Sequence, residues 1–182
     1  WTTLKTLETD ERIRAALPLA PAGGFTALDA DSVMAKSLNF TWKREVPVLY
    51  IVAELDSILP LEGMQDMFNR NPDPKTTVVL LNADHFHFND AIEQTHDGYK
   101  LILGMLAEGM DEDTRHSTET MMAGMKPSSE LVAGADAYAL INGLGLAHFD
   151  RELRGSQEAA SFLNGDLVAI LAERHINVKL LL

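Results

Sequence analysis

The chain has 182 residues, 46% of them hydrophobic and 23% charged, a composition typical of a globular domain and unlike that of a disordered chain. Its formal charge of −12 comes without any basic stripe, which argues against nucleic acid as a partner. The absence of cysteine excludes disulfides, iron–sulfur clusters, thiolate zinc sites and a cysteine nucleophile.

The first third of the chain predicts helices alternating with buried strands. Residues 2–10 are typical of the end of a helix. Residues 13–20 form a short apolar run that predicts a buried strand, ending at the loop 21–24. Residues 25–46 are aperiodic, which predicts a long loop or a loop with one short helix. The continuous apolar run 47–53 is the clearest strand, as in the middle of a parallel sheet.

The same alternation continues up to residue 106. Residues 61–69 show helical spacing, and the Pro-rich stretch 71–74 ends that helix. Residues 76–81 predict another buried strand, 82–90 a loop, and 91–106 a helix. The residues predicted to face inward from this last helix are Ile92, Leu101, Ile102 and Met105.

The C-terminal half contains an acidic, Met-rich stretch at 108–127, which predicts a solvated connection whose methionines pack on the body. Ser128 or Ser129 can cap a long helix that runs to about Arg154 and ends at Gly155. A short helix at 166–175 is predicted to follow.

Three strands, each followed by a helix, predict an α/β fold with a parallel sheet. We interpret the whole chain, residues 1–182, as one partial domain. Its sheet part covers 1–107, the acidic connection 108–127, and the C-terminal helices 128–182.

Two polar side chains follow predicted strands directly. Asp56 comes after the strand 47–53, and His85 comes after the strand 76–81. In open α/β sheets the carboxyl ends of the strands display reactive side chains, and a right-handed crossover places neighbouring loops side by side. A carboxylate beside an imidazole fixes its tautomer and stabilises the imidazolium. The sequence therefore predicts that Asp56 and His85 form a catalytic acid–base pair.

Two alternatives to this pair arise from the same loop. His87 is a rival base, because it would share a face with His85 in an extended segment. His85 and His87 with Asp84 and Asp90 could also bind zinc or manganese. No third ligand group has a recognisable spacing, so we predict neither a metal nor an organic cofactor.

The order of strand, Asp loop, helix, strand and His loop resembles the C-terminal part of an α/β-hydrolase. Its short sequence segments resemble the dienelactone hydrolase and platelet-activating-factor acetylhydrolase-like branch of that family, where a His-x-x-Phe-x-Asp motif follows the last strands. Here His85, Phe88 and Asp90 match that motif. Further segments similar to this branch occur in the same order at residues 12–21, 47–60, 149–155 and 162–167.

This resemblance implies a serine hydrolase that acts on esters or lactones, with Asp56 as the acid and His85 as the base. The nucleophile of such enzymes lies in Gly-x-Ser-x-Gly, upstream of both. The sequence contains no such motif, and it starts at Trp1 inside a predicted helix. We therefore expect a fragment that lacks the nucleophile and is inactive alone, whose whole enzyme binds a small ester or a lipid-like substrate.

A non-catalytic module is the alternative from another class. A partial α/β core exposes a sheet edge, which a partner or a second copy of the chain would cover. No stretch approaches the roughly 18 apolar residues that a transmembrane helix needs.

Overall fold

The computed structural model describes residues 1–27 and 29–181 and shows a mixed α/β fold. Its sheet has the order β1-β2-β3, formed by Val48–Ala53, Lys75–Leu80 and Val178–Leu181. β1 and β2 are parallel, whereas β2 and β3 are antiparallel. The prediction of a wholly parallel sheet is therefore wrong at β3. The chain reaches β3 at the carboxyl end of β2, where Leu81 N–H donates to Asn177 O, so it can only run back along β2.

Helices cover both faces of this sheet. In chain order they are α1 (Thr2–Thr9), α2 (Val33–Ser37), α3 (Leu61–Arg70), α4 (Ile92–Ala107), α5 (Glu112–Gly124), α6 (Gly134–Arg154), α7 (Gln157–Leu163) and α8 (Leu167–Ala172). Short 3₁₀ helices lie at His85–Phe88 and Ser128–Glu130. The predicted helices at 2–10, 61–69 and 91–106 are confirmed, as is one short helix within 25–46. The short helix α7 and strand β3 were not predicted.

The predicted strand at 13–20 is confirmed only as an extended edge segment. It lies parallel to β1 through isolated bridges from Ala16 to Val48 and from Leu19 to Ile51. Pro18 sits between these bridges and has no N–H to donate, which interrupts a regular ladder. Residues 13–20 nevertheless occupy the place of a strand beside β1.

Two apolar layers enclose the sheet, and they explain why β1 is buried along its whole length. One layer joins one face of β1 to α1 and α3, and the other joins the opposite face to α6 and α8. The helical residues buried in the two layers include Leu4, Leu7, Met64, Met67, Leu140, Leu144, Leu167 and Leu171. Packing of helices on both faces of the sheet holds the carboxyl ends of β1 and β2 next to each other.

The predicted inward face of α4 is wrong for three of its four residues. Ile92 is buried, but Leu101, Ile102 and Met105 are 67%, 55% and 70% exposed. The buried residues of α4 are Ile92, His96 and Ala107. The apolar residues between 101 and 106 point to several sides of the helix. Which side of α4 is buried therefore depends on packing against the rest of the protein, which the sequence pattern does not show.

Residues 108–127 form mostly helix α5 rather than an irregular connection. Asp111 caps this helix, since its Oδ1 accepts Thr114 N–H at 3.0 Å. No residue within α5 is buried, so its solvated character is confirmed. Among the methionines of the segment, Met125, just beyond α5, is buried in the core.

The start of the long helix α6 also differs from the prediction. Ser128 and Ser129 lie in the second 3₁₀ helix, and α6 begins only at Gly134. A Cβ at Gly134 would lie 2.7 Å from Ile92 Cγ2, so the missing side chain lets α6 approach α4. The predicted end at Gly155 is confirmed, with φ of 69°.

A buried histidine of α6 makes the stability of this fold sensitive to acid. His148 is 1% exposed, and neither ring nitrogen has a hydrogen-bond partner in residues 1–27 and 29–181. Burial, and then the positive charge of Arg151, lower its pKa from the ordinary value of 6.5. The unfolded chain therefore takes up this proton at a higher pH than the native chain does.

We expect the free energy of unfolding to fall as the pH drops below about 6.5, and His148→Gln to remove part of that loss. The matched control is His175→Gln, which makes the same substitution at an exposed histidine. Urea unfolding of parent and variants between pH 5 and 8 measures the effect. The raised pKa of His85 described below acts in the opposite direction, so each variant is compared with the parent at the same pH. Identical slopes for the parent and His148→Gln would contradict this prediction.

Candidate active site

The structure brings Asp56 and His85 into direct contact at the carboxyl ends of β1 and β2. Asp56 lies in the loop 54–60, called here the Asp56 loop, and His85 in the loop 81–91, the His85 loop. His85 Nδ1 is 2.9 Å from Asp56 Oδ2. The Asp56 side chain is 3% exposed and that of His85 is 23% exposed. The contact follows from parallel pairing of Ala53 with Leu80 at the two strand ends. The catalytic role of the pair remains a prediction.

Backbone donors fix the orientation of the Asp56 carboxylate. Its Oδ1 accepts Ile58 N–H at 3.0 Å and Leu59 N–H at 2.6 Å, which leaves Oδ2 for the imidazole. A carboxylate can only accept, so Nδ1 of His85 carries the hydrogen of the shared bond. Nε2 then has a free lone pair, and within the described residues it has no hydrogen-bond partner. This is the tautomer that a general base requires.

The surroundings of His85 favour its protonated form. Burial lowers the pKa of His85, but the hydrogen bond with Asp56 and the negative charges of Asp56 and Asp84 outweigh it. The net result is a pKa raised above the ordinary value of 6.5. The site therefore stabilises an imidazolium, the species that forms when His85 accepts a proton.

His87 is not available as the rival base. Its Nδ1 accepts Asp84 N–H at 2.9 Å, and its Nε2 donates to Val132 O at 2.8 Å. The expectation that His85 and His87 share a face is wrong, because residues 85–88 form a 3₁₀ helix of about three residues per turn. His87 is buried and ties the His85 loop to the segment before α6.

The motif residues after His85 have structural contacts. The ring of Phe88 lies edge-on to His85 with 6.5 Å between centroids. Asp90 Oδ1 accepts the Tyr138 hydroxyl of α6 at 3.1 Å. In residues 1–27 and 29–181, no group of three His, Asp or Glu side chains converges as a metal site.

An apolar cleft of about 400 Å³, including its part open to solvent, borders Asp56. It lies between residues 20–26 and the start of α3, and Asp56, not His85, is among its lining residues. Gly23 in its wall has φ of 120°, and a Cβ there would lie 3.3 Å from Trp1 Cδ1. The ring of Trp1 therefore lies close to Gly23. Gly23 and Gly24, a pair that in the sequence fits either a plain turn or room left for a substrate, both line this cleft.

Asp84, which the sequence suggested only as a metal ligand, lies instead between the two loops that carry the pair. Its carboxylate is buried, and its Oδ2 accepts Ser57 N–H from the Asp56 loop at 3.0 Å. Its position just before a short apolar helix, where an Asp can cap, was the signal that could have drawn attention to it.

Neither a family model nor a curated protein matches the chain significantly. The interpretation of the site therefore depends on its geometry and on the order of the sequence motifs. In the part of the chain that the structure describes, no helix has both the length and the apolar character to cross a membrane.

Proposed function

We propose that Asp56 and His85 are the acid and base of a serine hydrolase of the α/β-hydrolase type, acting on ester or lactone bonds. The observation that supports this most directly is the 2.9 Å contact between Asp56 Oδ2 and His85 Nδ1. It lies where two neighbouring parallel strands end, which is where α/β sheets display reactive groups. The free Nε2 and the raised pKa of His85 fit the role of a base.

The reaction follows from this arrangement. A serine hydroxyl attacks the ester carbonyl while His85 Nε2 takes its proton, and Asp56 stabilises the resulting imidazolium. His85 then gives this proton to the leaving alcohol, and an acyl-serine remains. Water attacks the acyl group, again losing a proton to His85, which returns it to the serine as the acid is released. The apolar cleft beside Asp56 would hold part of the substrate.

The proposed nucleophile lies outside the 182 residues. Within the described residues no serine hydroxyl hydrogen-bonds to His85. Ser32 caps α2 and Ser156 caps α7, so these two serve the fold. We therefore propose that the nucleophile comes from outside these residues and that the chain is inert alone.

We expect a serine-directed fluorophosphonate probe to leave the 182-residue chain unlabelled. A longer form that includes the residues preceding Trp1 should be labelled, and His85→Ala should slow its labelling by about 10³-fold or more. The exposed His175 gives a matched control, because His175→Ala should not alter the rate. Intact-mass measurement over time reports the labelled fraction.

Two results would overturn the proposal. One is stoichiometric labelling of the 182-residue chain itself, which would place a reactive serine within it. The other is a longer form that resists the probe, or that reacts equally fast with and without His85.

Self-association is a second candidate function, favoured by a surface on α4. Its exposed apolar side chains form two adjacent pairs one helical turn apart, Leu101 with Ile102 and Met105 with Leu106. The backbone hydrogen bonds between residues 16–20 and the rest of the described chain run to β1 and Pro47, which leaves the outer edge of this segment open. Light scattering after size exclusion separates the two candidates, since a stable monomer argues against association.

A further inference from the structure

A second buried carboxylate, Asp84, lies between the two loops that carry Asp56 and His85. Asp84 is 2% exposed, and a carboxylate in such a place needs hydrogen-bond donors to offset its lost hydration. Its Oδ2 accepts Ser57 N–H at 3.0 Å and its Oδ1 accepts Phe86 N–H at 3.4 Å. His96 Nε2 lies 3.8 Å from Oδ1.

These contacts join the two loops that carry the pair. Ser57 directly follows Asp56, so a bond to its N–H holds the backbone of the acid. Asp84 directly precedes His85 and caps the 3₁₀ helix whose first residue is His85. Leu55 N–H also donates to Ala83 O at 2.9 Å. One carboxylate thus sets the position of both partners.

Asp84 also acts on His85 through its charge. The charged groups that raise the pKa of His85 are Asp56, from the facing loop, and Asp84, from its own loop. From α4, His96 approaches Asp84, and its Nδ1 is 3.1 Å from Asp97 Oδ1. Phe86 lies edge-on to both imidazoles, with centroid distances of 6.4 Å to His85 and 5.5 Å to His96.

We infer that Asp84 is a second positioning carboxylate, which locks the Asp56 loop onto the His85 loop and stabilises the imidazolium that His85 forms. This inference rests on the proposed function, in which His85 accepts a proton. Asp84 does not touch the substrate in this role. It acts through Ser57 N–H on one side and through its charge on the other.

The test is an NMR titration of the His85 ring nitrogens in the 182-residue chain. Asp84→Asn keeps the size of the side chain and an oxygen for Ser57 N–H, but it removes the charge and the weaker, 3.4 Å acceptor for Phe86 N–H. We expect it to lower the pKa of His85 by about 0.5 to 1 pH unit. The control is Asp150→Asn on α6, which removes a carboxylate paired with Arg154 and should leave the pKa of His85 unchanged.

A purely structural Asp84 would change the stability of the chain but not the pKa of His85 in the folded variant. An unchanged pKa in folded Asp84→Asn would overturn the inference. If that variant does not fold, hydrogen exchange of the Ser57 amide in the parent chain decides instead. Strong protection supports the link between the loops, and rapid exchange contradicts it.

The outcome is separable from that of the proposed function. If the longer form resists the fluorophosphonate but Asp84→Asn lowers the pKa of His85, the hydrolase proposal fails and the electrostatic role of Asp84 stands. If the longer form is labelled and the pKa does not change, only the role of Asp84 fails.

Discussion

Gly24→Ala is expected to destabilise the chain by about 3 kcal/mol, the upper range for overpacking. A Cβ at Gly24 would lie 1.8 Å from Gly63 O and 2.5 Å from Gly63 Cα. Both atoms belong to the backbone of α3, so no side chain can rotate away to make room. Either the loop 20–26 or the first turn of α3 has to move, and both line the cleft beside Asp56.

The loop has little freedom to move, because α3 holds it at several points. Phe25 N–H donates to Asp66 Oδ2 at 3.0 Å, and Arg70 donates to Gly23 O at 2.9 Å. Arg70 is itself paired with Asp66, and its guanidinium lies 4.9 Å from the centroid of the Phe25 ring. Any displacement forced at Gly24 therefore breaks hydrogen bonds that keep the cleft in shape.

Urea unfolding measures this effect, with Gly143→Ala as the matched control. Gly143 lies within α6, where a Cβ would meet nothing within 4 Å. Alanine is a better helix former than glycine, so this variant should gain about 0.5 to 1 kcal/mol. The same chemical change is thus expected to act with opposite signs at the two positions. Equal effects would mean that the close approach of Gly24 to α3 is not maintained in solution.

The acid–base contact could be predicted from the sequence because it depends on short-range information. The run 47–53 is apolar, the run 76–81 is apolar from Val78 onward, and one helix separates them, so a parallel pair with adjacent loops was the simplest arrangement. Strands β1 and β2 confirm it, and the loops place Asp56 against His85. Neither step required knowledge of the rest of the chain.

The features that were missed depend on contacts between distant residues. His87 is held by Val132, which is 45 residues away, and nothing local in the sequence shows that its ring is buried. The apolar residues of α4 fit several helix faces, and the body covers a face other than the predicted one. The direction of β3 depends on where α8 ends relative to the sheet. Residue types and periodicity do not contain this information.

Asp56→Asn is expected to reduce kcat of the longer, active form by about 10³- to 10⁴-fold, with little change in KM. The backbone decides how the new amide is oriented. Ile58 N–H and Leu59 N–H both donate to Oδ1, so the amide oxygen has to occupy that place. The amide nitrogen then faces His85 Nδ1 and donates to it. This forces the hydrogen onto Nε2, where the base needs its lone pair.

The cause of this loss can be measured without any activity. In the 182-residue chain, the ring nitrogen shifts of His85 should change from the Nδ1–H to the Nε2–H tautomer in Asp56→Asn, and the pKa of His85 should fall because the charge is lost. Asp150→Asn again serves as the control and should leave the tautomer unchanged. A variant that switches the tautomer yet keeps full hydrolytic activity would remove His85 from the mechanism. One that keeps both the tautomer and the activity would show that Asp56 does not orient the base.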